Sequence, residues 1–384
     1  MKDLALVFLK LGFTAFGGPA AHIAMMENEF VRRRQWLSHQ EFLDLLGASN
    51  LIPGPGSSEL AIFIGQKRAG WRGLLLVGTC FILPAALIVV AIAWAYAKYN
   101  SLPAVSSILY GIKPVIVAVV LQAVWTLGRT AVKTKLLFFL GCLVILANIL
   151  GLNIPLTLLC AGMLSAYINS YARKRSLVIG SVAVLSWIFL TSKQAFAASA
   201  IAVKTPVTLT RIFLFFLKVG AIQFGSGYVL LAFLRDDLVK HWHWLTEAQL
   251  LDATAVGQFT PGPVFTTATF IGYLLHGNRG AIVATIGIFL PAFLLVAASA
   301  TFIPRLRKSQ FAGAFLDGVN VASLALMVAV TFQLGQASLF DVTTILLAVA
   351  SAIALIRFRV SSAWLILAGG VVGFVVQGLK SGML

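Results

Sequence analysis

The strongest constraint on this chain is a Pro-Gly-Pro motif that occurs twice, each time inside a long apolar run. Asn50 precedes the first motif, at residues 53–55, and Gln258 precedes the second, at residues 261–263. Proline has no backbone N–H, its ring disrupts a helix, and the residue before it is pushed out of the helical region. Each motif therefore predicts a break within a helix. In a lipid bilayer such a break is tolerated only where it is buried in protein or lines a cavity.

The composition identifies the setting of these motifs as a membrane. Of the 384 residues, 60% are hydrophobic and only 11% are charged, and apolar runs long enough to cross a bilayer recur along the chain. We therefore predict an all-α polytopic membrane protein that is embedded in the lipid bilayer. The net charge of +17 is assigned to short loops that orient the protein in the membrane, and no nucleic-acid partner is expected.

The chain also repeats itself at an offset of 208 residues, the separation between Pro53 and Pro261. Residues 8–12 (FLKLG) match residues 216–220 (FLKVG) at this offset. After a one-residue deletion the match continues at 207, which pairs Pro84 with Pro291. The sequence thus predicts a first transporter repeat over 1–175, a linker over 176–206 and a second repeat over 207–384.

Basic residues in matching loops predict that the two repeats are inverted. The loop after the third apolar element, which covers about residues 73–96, contains only Lys98 as a basic residue. The matching loop of the second half contains Arg305, Arg307 and Lys308. The next loop is basic in the first half and has no basic residue in the second. Because positively charged loops stay in the cytoplasm, we expect the halves to cross the membrane in opposite directions.

Two topologies remain open for the Pro-Gly-Pro elements. Basic residues flank the first one on both sides, at 32–34 and at 67, 68 and 72. This pattern favours an element that enters the membrane and returns to the same side, in which case segment 176–206 need not cross. If the element crosses fully, segment 176–206 must be an additional span.

Several of these features resemble one known family. Residues 16–22 (FGGPAAH), the Pro-Gly-Pro element with its preceding amide, and the repetition of both resemble the chromate ion transporter family over nearly the whole chain. The resemblance implies a transporter of the bacterial inner membrane, with chromate efflux and chromate resistance as its activity and sulfate as a related oxyanion. The second half departs from the pattern, because Leu230 stands where the first half has His22. Any role of His22 therefore belongs to one half only.

Two further breaks are predicted, one at residues 17–19 within an apolar element over 4–26 and one at the matching residues 225–227. The four breaks together suggest how an oxyanion is held. A tetrahedral dianion must exchange its water shell for fixed donors, and a helix that restarts after a break offers free N–H groups and the positive end of its dipole. Glycines allow the backbone to approach closely. The alternative is that these residues only kink the helices for packing, but the pairing of breaks between halves favours a site. The expected anion site comprises residues at the breaks and two matching lysines: Gly17, Gly18, Asn50, Gly54, Gly56, Ser57, Ser58, Gly225, Ser226, Gln258, Gly262, Thr266, Lys10 and Lys218.

Three ionisable residues inside apolar runs are candidates for coupling transport to protons. Glu59 follows the first Pro-Gly-Pro motif, and a lone carboxyl at membrane depth is expensive unless it has a function or a lysine partner. An unperturbed histidine titrates near neutral pH, which makes His22 a second candidate, although its apolar surroundings favour a hydrogen-bonded packing histidine. Lys113 would either supply positive charge to the anion or pair with an acid. Asp44 and Asp252 match across the halves, where a helix-start or interfacial role is equally expected.

The sequence favours a secondary transporter that works by alternating access over two other classes. A passive anion channel remains the alternative, although an inverted repeat with paired breaks favours a carrier. A membrane-embedded enzyme is not predicted, because no HExxH, GxSxG or P-loop motif occurs. We expect no cofactor and no metal, and a homodimer is left open.

Overall fold

A computed structural model describes residues 1–16, 18–99, 102–171, 206–224, 229–299, 310–358 and 360–381. Within these ranges every regular element is a helix. The first half contains α1 (Lys2–Thr14), α2 (Gly18–Glu27), α3 (His39–Ser49), α4 (Ser57–Tyr99), α5 (Pro103–Ala131), α6 (Lys135–Ile149) and α7 (Ile154–Tyr171). The second half contains α8 (Leu209–Ile222), α9 (Leu230–Leu234), α10 (Glu247–Phe259), α11 (Thr267–Ser299), α12 (Gln310–Ser338), α13 (Val342–Arg357) and α14 (Ser362–Ser381).

The helices of the two halves correspond one to one, including their irregular parts. A π-helical turn extends α2 over Asn28–Arg33 and α9 over Arg235–His241, and a short 3-10 helix, Val264–Thr266, precedes α11. Among the described residues, five helices are long and apolar enough to cross a membrane. The prediction of a polytopic, all-helical membrane protein built from two repeats is therefore confirmed.

Each half opens with a helical hairpin formed by its first two helices. Phe8 of α1 stacks on Phe30 beyond α2, with 5.0 Å between ring centroids. In the second half Phe215 of α8 contacts Trp242 at 5.3 Å between ring centroids. These contacts place the start of the first helix beside the end of the second. The sequence predicted one interrupted element over residues 4–26. In the structure this segment is a hairpin whose second helix returns to the side where the first began.

The Pro-Gly-Pro motif forms the turn of a second hairpin. Lys67 in the first part of α4 donates a hydrogen bond of 2.7 Å to Glu41 near the start of α3, so both ends of this hairpin lie together. Hydrogen bonds from Lys67 and the Ser38 backbone lower the pKa of Glu41 to about 2, which keeps the pair ionised near neutral pH. The geometry agrees with the re-entrant alternative. In the second half Gly257 and Thr267 lie against each other on either side of the turn, where a Cβ at Gly257 would be 2.0 Å from Thr267 Oγ1.

A glycine turn then redirects α4 from the hairpin into a long membrane helix. Ala69 and Gly70 leave the helical region, and Gly70 has φ +58°. The same turn occurs at His276 and Gly277 of α11, where φ is +59°. Glycine adopts this left-handed conformation without the steric cost of a side chain. Each of these helices therefore consists of a short part in the hairpin and a long part, 71–99 or 278–299.

The long parts of α4 and α11 run antiparallel. A Cβ atom at Gly78 would lie 2.3 Å from the ring of Phe293. Gly78 lies early in its long part and Phe293 late in the other, and the residues that match them, Thr285 and Ala86, both line the groove between the two helices. Since both helices leave the base of their own hairpins, the two hairpin bases lie on opposite sides of the molecule.

Helices α5 and α12, the next matching pair, are antiparallel as well. Lys133, just beyond the end of α5, forms an ion pair of 2.6 Å with Asp317 near the start of α12, whereas a Cβ at Gly335 near the end of α12 would lie 3.9 Å from Val117 in the middle of α5. Two independent pairs of matching helices thus have opposite directions. This is the inverted relationship that the loop charges predicted.

The last helix of each half packs against the other half. Gly111 of α5 lies against Gly369 and Gly373 of α14, and a Cβ at Gly111 would be 1.9 Å from the Gly369 carbonyl oxygen. In the same way Gly318 of α12 lies against Ala161 of α7. Small residues permit this close helix contact inside a membrane. The predicted linker over 176–206 lies, except for residue 206, outside the described residues.

Candidate functional site

Each Pro-Gly-Pro turn contacts the end of the first helix of the opposite half. The Gly54 N–H donates to the Gln223 carbonyl at 2.7 Å, and the Gly262 N–H donates to the Ala15 carbonyl at 2.9 Å. Residues 54 and 262 occupy the same place in the two repeats, as do residues 15 and 223. Each Pro-Gly-Pro tip therefore contacts the first hairpin of the opposite half, and the two contacts exchange under the internal two-fold symmetry.

Polar side chains are buried around these contacts. Polar groups at membrane depth are costly, and they are retained where they have partners or a function. The buried polar residues at and beside these turns include His22, Ser57, Ser58, Glu59, Gln223, Gln258, Thr260, Thr266 and Thr267.

The first Pro-Gly-Pro tip encloses an isolated carboxyl group. Glu59 is fully buried, and neither of its carboxyl oxygens has a hydrogen-bond partner among the described residues. A Cβ atom at Gly54 would lie 1.9 Å from Glu59 Oε1, and Gly54 has φ +139°. Only a glycine leaves room for the carboxyl here. Because burial of an unpaired carboxylate is expensive, Glu59 is the residue of this tip whose charge most needs a ligand or a proton.

His22 joins the two tips on one side of the site. Its Nε2 lies 3.0 Å from the Ala15 carbonyl oxygen, which also accepts from Gly262, and its Nδ1 lies 3.2 Å from Ser57 Oγ. A carbonyl oxygen only accepts, so Nε2 carries the hydrogen and, in the neutral ring, Nδ1 accepts from the Ser57 hydroxyl. The ring is buried and packs edge-on against Phe81 at 5.7 Å between centroids.

Among the described residues, the second tip has no ionisable counterpart of this arrangement. Leu230 and Phe265 stand at the positions matching His22 and Ser57, and both are buried. The Thr266 hydroxyl donates to the Pro263 carbonyl at 2.8 Å, and the Thr267 hydroxyl donates to the Val264 carbonyl at 2.9 Å. The two halves therefore share their backbone geometry but differ in chemistry.

The remaining tip residues of the predicted site surround these contacts. Asn50 ends α3, and its Oδ1 lies 3.8 Å from the position of a Cβ at Gly56. Gln258 is buried in the last turn of α10. Gly18 begins α2 with φ +76°. Three other residues of the predicted set lie outside the described residues: Gly17, Gly225 and Ser226.

The two matching lysines lie along their own hairpins and not at the tips. Lys218 forms an ion pair of 2.6 Å with Asp237 and is largely exposed. Lys10 lines a cavity of about 350 Å³ near the base of the first hairpin, together with Glu29, Arg33 and Arg34. Hydrogen bonds from Arg34 and Arg33 lower the pKa of Glu29, so this cavity carries fixed charges of both signs.

Lys113 has a partner that the sequence did not assign. Its Nζ lies 3.4 Å from Oδ1 of Asp252 in α10, and Tyr96 donates a hydrogen bond of 2.8 Å to the other oxygen of that carboxyl group. Asp252 is buried, and the pairing with an acid that was one alternative for Lys113 is observed. The pair connects α5 of the first half with α10 of the second. The match between Asp252 and Asp44 was visible in the sequence. The partner of Asp252 was not, because it depends on which helices of the two halves pack together.

Comparison with known proteins identifies the family. The chain matches the chromate transporter family over residues 2–166 and again over residues 210–374. It is 31% identical to the chromate transport protein of Cupriavidus metallidurans over 99% of this chain and 94% of that protein. It is 33% identical to a probable chromate transport protein of Synechococcus elongatus, over 90% of this chain and 88% of that protein.

A third relative, the chromate transport protein of Pseudomonas aeruginosa, is 31% identical over 86% of this chain and 80% of its own length. No solved structure gives a significant match. The two family matches coincide with the two inverted halves of the fold, and each contains one Pro-Gly-Pro tip. The chain belongs to the chromate transporter family.

Proposed function

We propose that this protein exports chromate across a bacterial inner membrane by alternating access, with the anion held between the Pro-Gly-Pro turns and the first-helix ends that they contact. Sulfate is the related oxyanion that the same site would accept. The observation that carries the proposal is the reciprocal pair of hydrogen bonds, from Gly54 to Gln223 and from Gly262 to Ala15. It joins each Pro-Gly-Pro turn to the end of the first helix in the opposite half.

The anion is recognised mainly by backbone donors. The first N–H groups of a helix lack partners within that helix, and they lie at the positive end of its dipole. Ser57 and Ser58 begin α4 directly after one tip, and Val264 and Phe265 follow the other. Two helix starts from opposite halves thus supply the fixed donors that replace the water around a tetrahedral dianion.

The two-fold symmetry of the tips provides the two states that alternating access requires. The contacts of Gly54 and Gly262 are equivalent by symmetry, so either can loosen while the other remains. Loosening one opens the site toward the hairpin base of one half, and loosening the other opens it toward the opposite base. The Lys113–Asp252 ion pair between α5 and α10 is a further contact that such a movement must accommodate.

We assign the coupling of transport to protons to Glu59. Its carboxyl group is buried beside the tip and has no hydrogen-bond partner among the described residues. A dianion in the same region would repel an ionised carboxylate, whereas a protonated Glu59 removes that repulsion. Proton binding at Glu59 therefore favours the loaded state of the site.

The side of the membrane follows from the basic residues. Arg32, Arg33, Lys67 and Arg68 lie at the bases of the first-half hairpins, and Lys133 lies just beyond the end of α5, on the same side. Positively charged segments remain in the cytoplasm. Export therefore runs from the base of the first half toward the base of the second.

Flux in inside-out membrane vesicles tests the proposal. Chromate should accumulate in vesicles that contain the protein, unlabelled sulfate should compete, and a proton gradient should change the rate. Glu59→Gln should abolish the effect of the gradient, whereas Glu27→Gln, which alters only surface contacts of 3.6 Å with Arg32 and His39, should leave it unchanged. Absence of chromate flux would refute the proposal, and non-saturating flux would indicate a passive channel.

A further inference from the structure

A continuous chain of hydrogen bonds connects the two Pro-Gly-Pro tips through His22. It runs from the Gly262 N–H to the Ala15 carbonyl at 2.9 Å, from that carbonyl to His22 Nε2 at 3.0 Å, and from His22 Nδ1 to Ser57 Oγ at 3.2 Å. Leu230 and Phe265 replace the ring and the hydroxyl at the matching positions of the other half. The chain of hydrogen bonds is therefore a feature of one side of the site.

The hydrogen positions in this chain are restricted by chemistry. The Ala15 carbonyl cannot donate, so His22 Nε2 must carry a hydrogen. In the neutral ring Nδ1 is then bare, and the Ser57 hydroxyl gives its hydrogen to it. A Ser57 hydroxyl in this orientation cannot donate to an anion, although Ser57 is the first residue of the helix start that would face it.

We propose that a proton bound at His22 Nδ1 reverses the His22–Ser57 hydrogen bond and turns the Ser57 hydroxyl toward the transported oxyanion. The proton comes from water or from the entering anion, and the N–H bond at Nδ1 is the only new covalent bond. Ser57 keeps its own hydrogen, and Nε2 keeps its bond to Ala15. His22 is thus a positioning residue that makes oxyanion affinity depend on a proton. This inference rests on the proposed anion site.

A bound anion is the charge that would stabilise the protonated His22 ring, because the described groups around the ring are uncharged. The described contacts of His22 are the Ala15 carbonyl, the Ser57 hydroxyl and the edge of the Phe81 ring, and none of them is charged. Along α4 the next titratable residue is Glu59, whose carboxyl group is directed at Gly54. A dianion at the start of α4 would stabilise the imidazolium, and by reciprocity a protonated His22 would tighten anion binding.

The test measures chromate KM in proteoliposomes containing the full-length protein, from about pH 5.5 to about pH 8, the range in which histidine titrates. The wild type should bind chromate more weakly as the pH rises. His22→Gln preserves a donor for Ala15 and an acceptor for Ser57 but cannot take up a proton. The KM of this variant should lack the part of the pH dependence that His22 causes. At the acidic end it should exceed the wild-type KM about tenfold, because one hydrogen bond to a charged ligand is lost.

Ser57→Ala should show the same pH profile as His22→Gln, and the double variant should be no weaker than either single variant. The titration of chromate itself is identical in all samples, so differences between variants report on the protein. His39→Gln, at an exposed histidine that begins α3, is the matched control and should follow the wild type. Thermal unfolding checks folding, and His22→Asn replaces His22→Gln if that variant unfolds.

A His22→Gln or Ser57→Ala protein that transports chromate with the wild-type pH profile would overturn this inference and leave the proposed function intact. Lower thermal stability with an unchanged pH profile would assign His22 a purely structural role and would also overturn it. A wild type without oxyanion flux at any pH would overturn both proposals.

Discussion

At the scale of single residues, Gly54 is the position where the site tolerates least change. Its φ of +139° disfavours any side chain, and a Cβ would lie 1.9 Å from Glu59 Oε1. We expect Gly54→Ala to lower the free energy of unfolding by about 2–4 kcal/mol, from backbone strain and overpacking together, and to reduce chromate flux. Denaturant unfolding and vesicle flux measure the two effects.

Gly313→Ala is the matched control for this prediction. Gly313 lies in α12 with nothing within 4 Å of an added Cβ, and alanine is favoured over glycine in a helix. Its stability and flux should equal or exceed those of the wild type. If Gly54→Ala behaved like Gly313→Ala, the close approach of Glu59 to the tip would be wrong.

The candidate site was predictable from the sequence where it depends on the backbone. Asn50, Gly54 and Gly262 were marked by proline and glycine, whose effects are local. The partner of a side chain depends on which helices meet, and no local pattern contains that information. For this reason Lys218 was placed at the anion but is paired with Asp237.

At the scale of helices, the crossing of α5 and α14 determines how the halves hold together. Gly111 lies so close to α14 that an added Cβ would be 1.9 Å from the Gly369 carbonyl and 2.7 Å from Gly373 Cα. Gly111→Ala should therefore separate the helices and cost about 1–3 kcal/mol. Gly128→Ala, in the same helix, adds a Cβ 3.7 Å from Leu324 and should be neutral in thermal unfolding. Equal melting temperatures of the two variants would refute this packing.

The helices themselves were largely predictable, because long apolar runs and prolines specify them directly. The fold of the first element was not: residues 4–26 were interpreted as one interrupted span, but Phe8 and Phe30 pack side by side in a hairpin. The apolar pattern of a hairpin equals that of a span of the same length. Only tertiary contacts, such as the Glu41–Lys67 pair in the second hairpin, distinguish the two.

At the scale of the whole molecule, the two hairpins in each half change how often the chain crosses the membrane. In the first half the hairpins return to their own side, the long part of α4 and α5 are long and apolar enough to cross, and the shorter helices α6 and α7 follow as a pair. An even number of crossings leaves the end of α7 on the side where the chain began. The second half starts from the opposite side, because its long helix is antiparallel to that of the first.

This topology predicts that Asn169 and Val207, at the two ends of the described chain around the linker, face opposite sides of the membrane. In a cysteine-free background, single cysteines at these exposed positions would be labelled in intact cells with an impermeant maleimide. Val207→Cys should react from outside together with Lys98→Cys, and Asn169→Cys should react only after lysis, as Lys133→Cys does. Labelling of positions 169 and 207 from one side would mean that the halves do not have the opposite orientations inferred from their antiparallel helices. The shared anion site would then lose the symmetry that brings its two helix starts together.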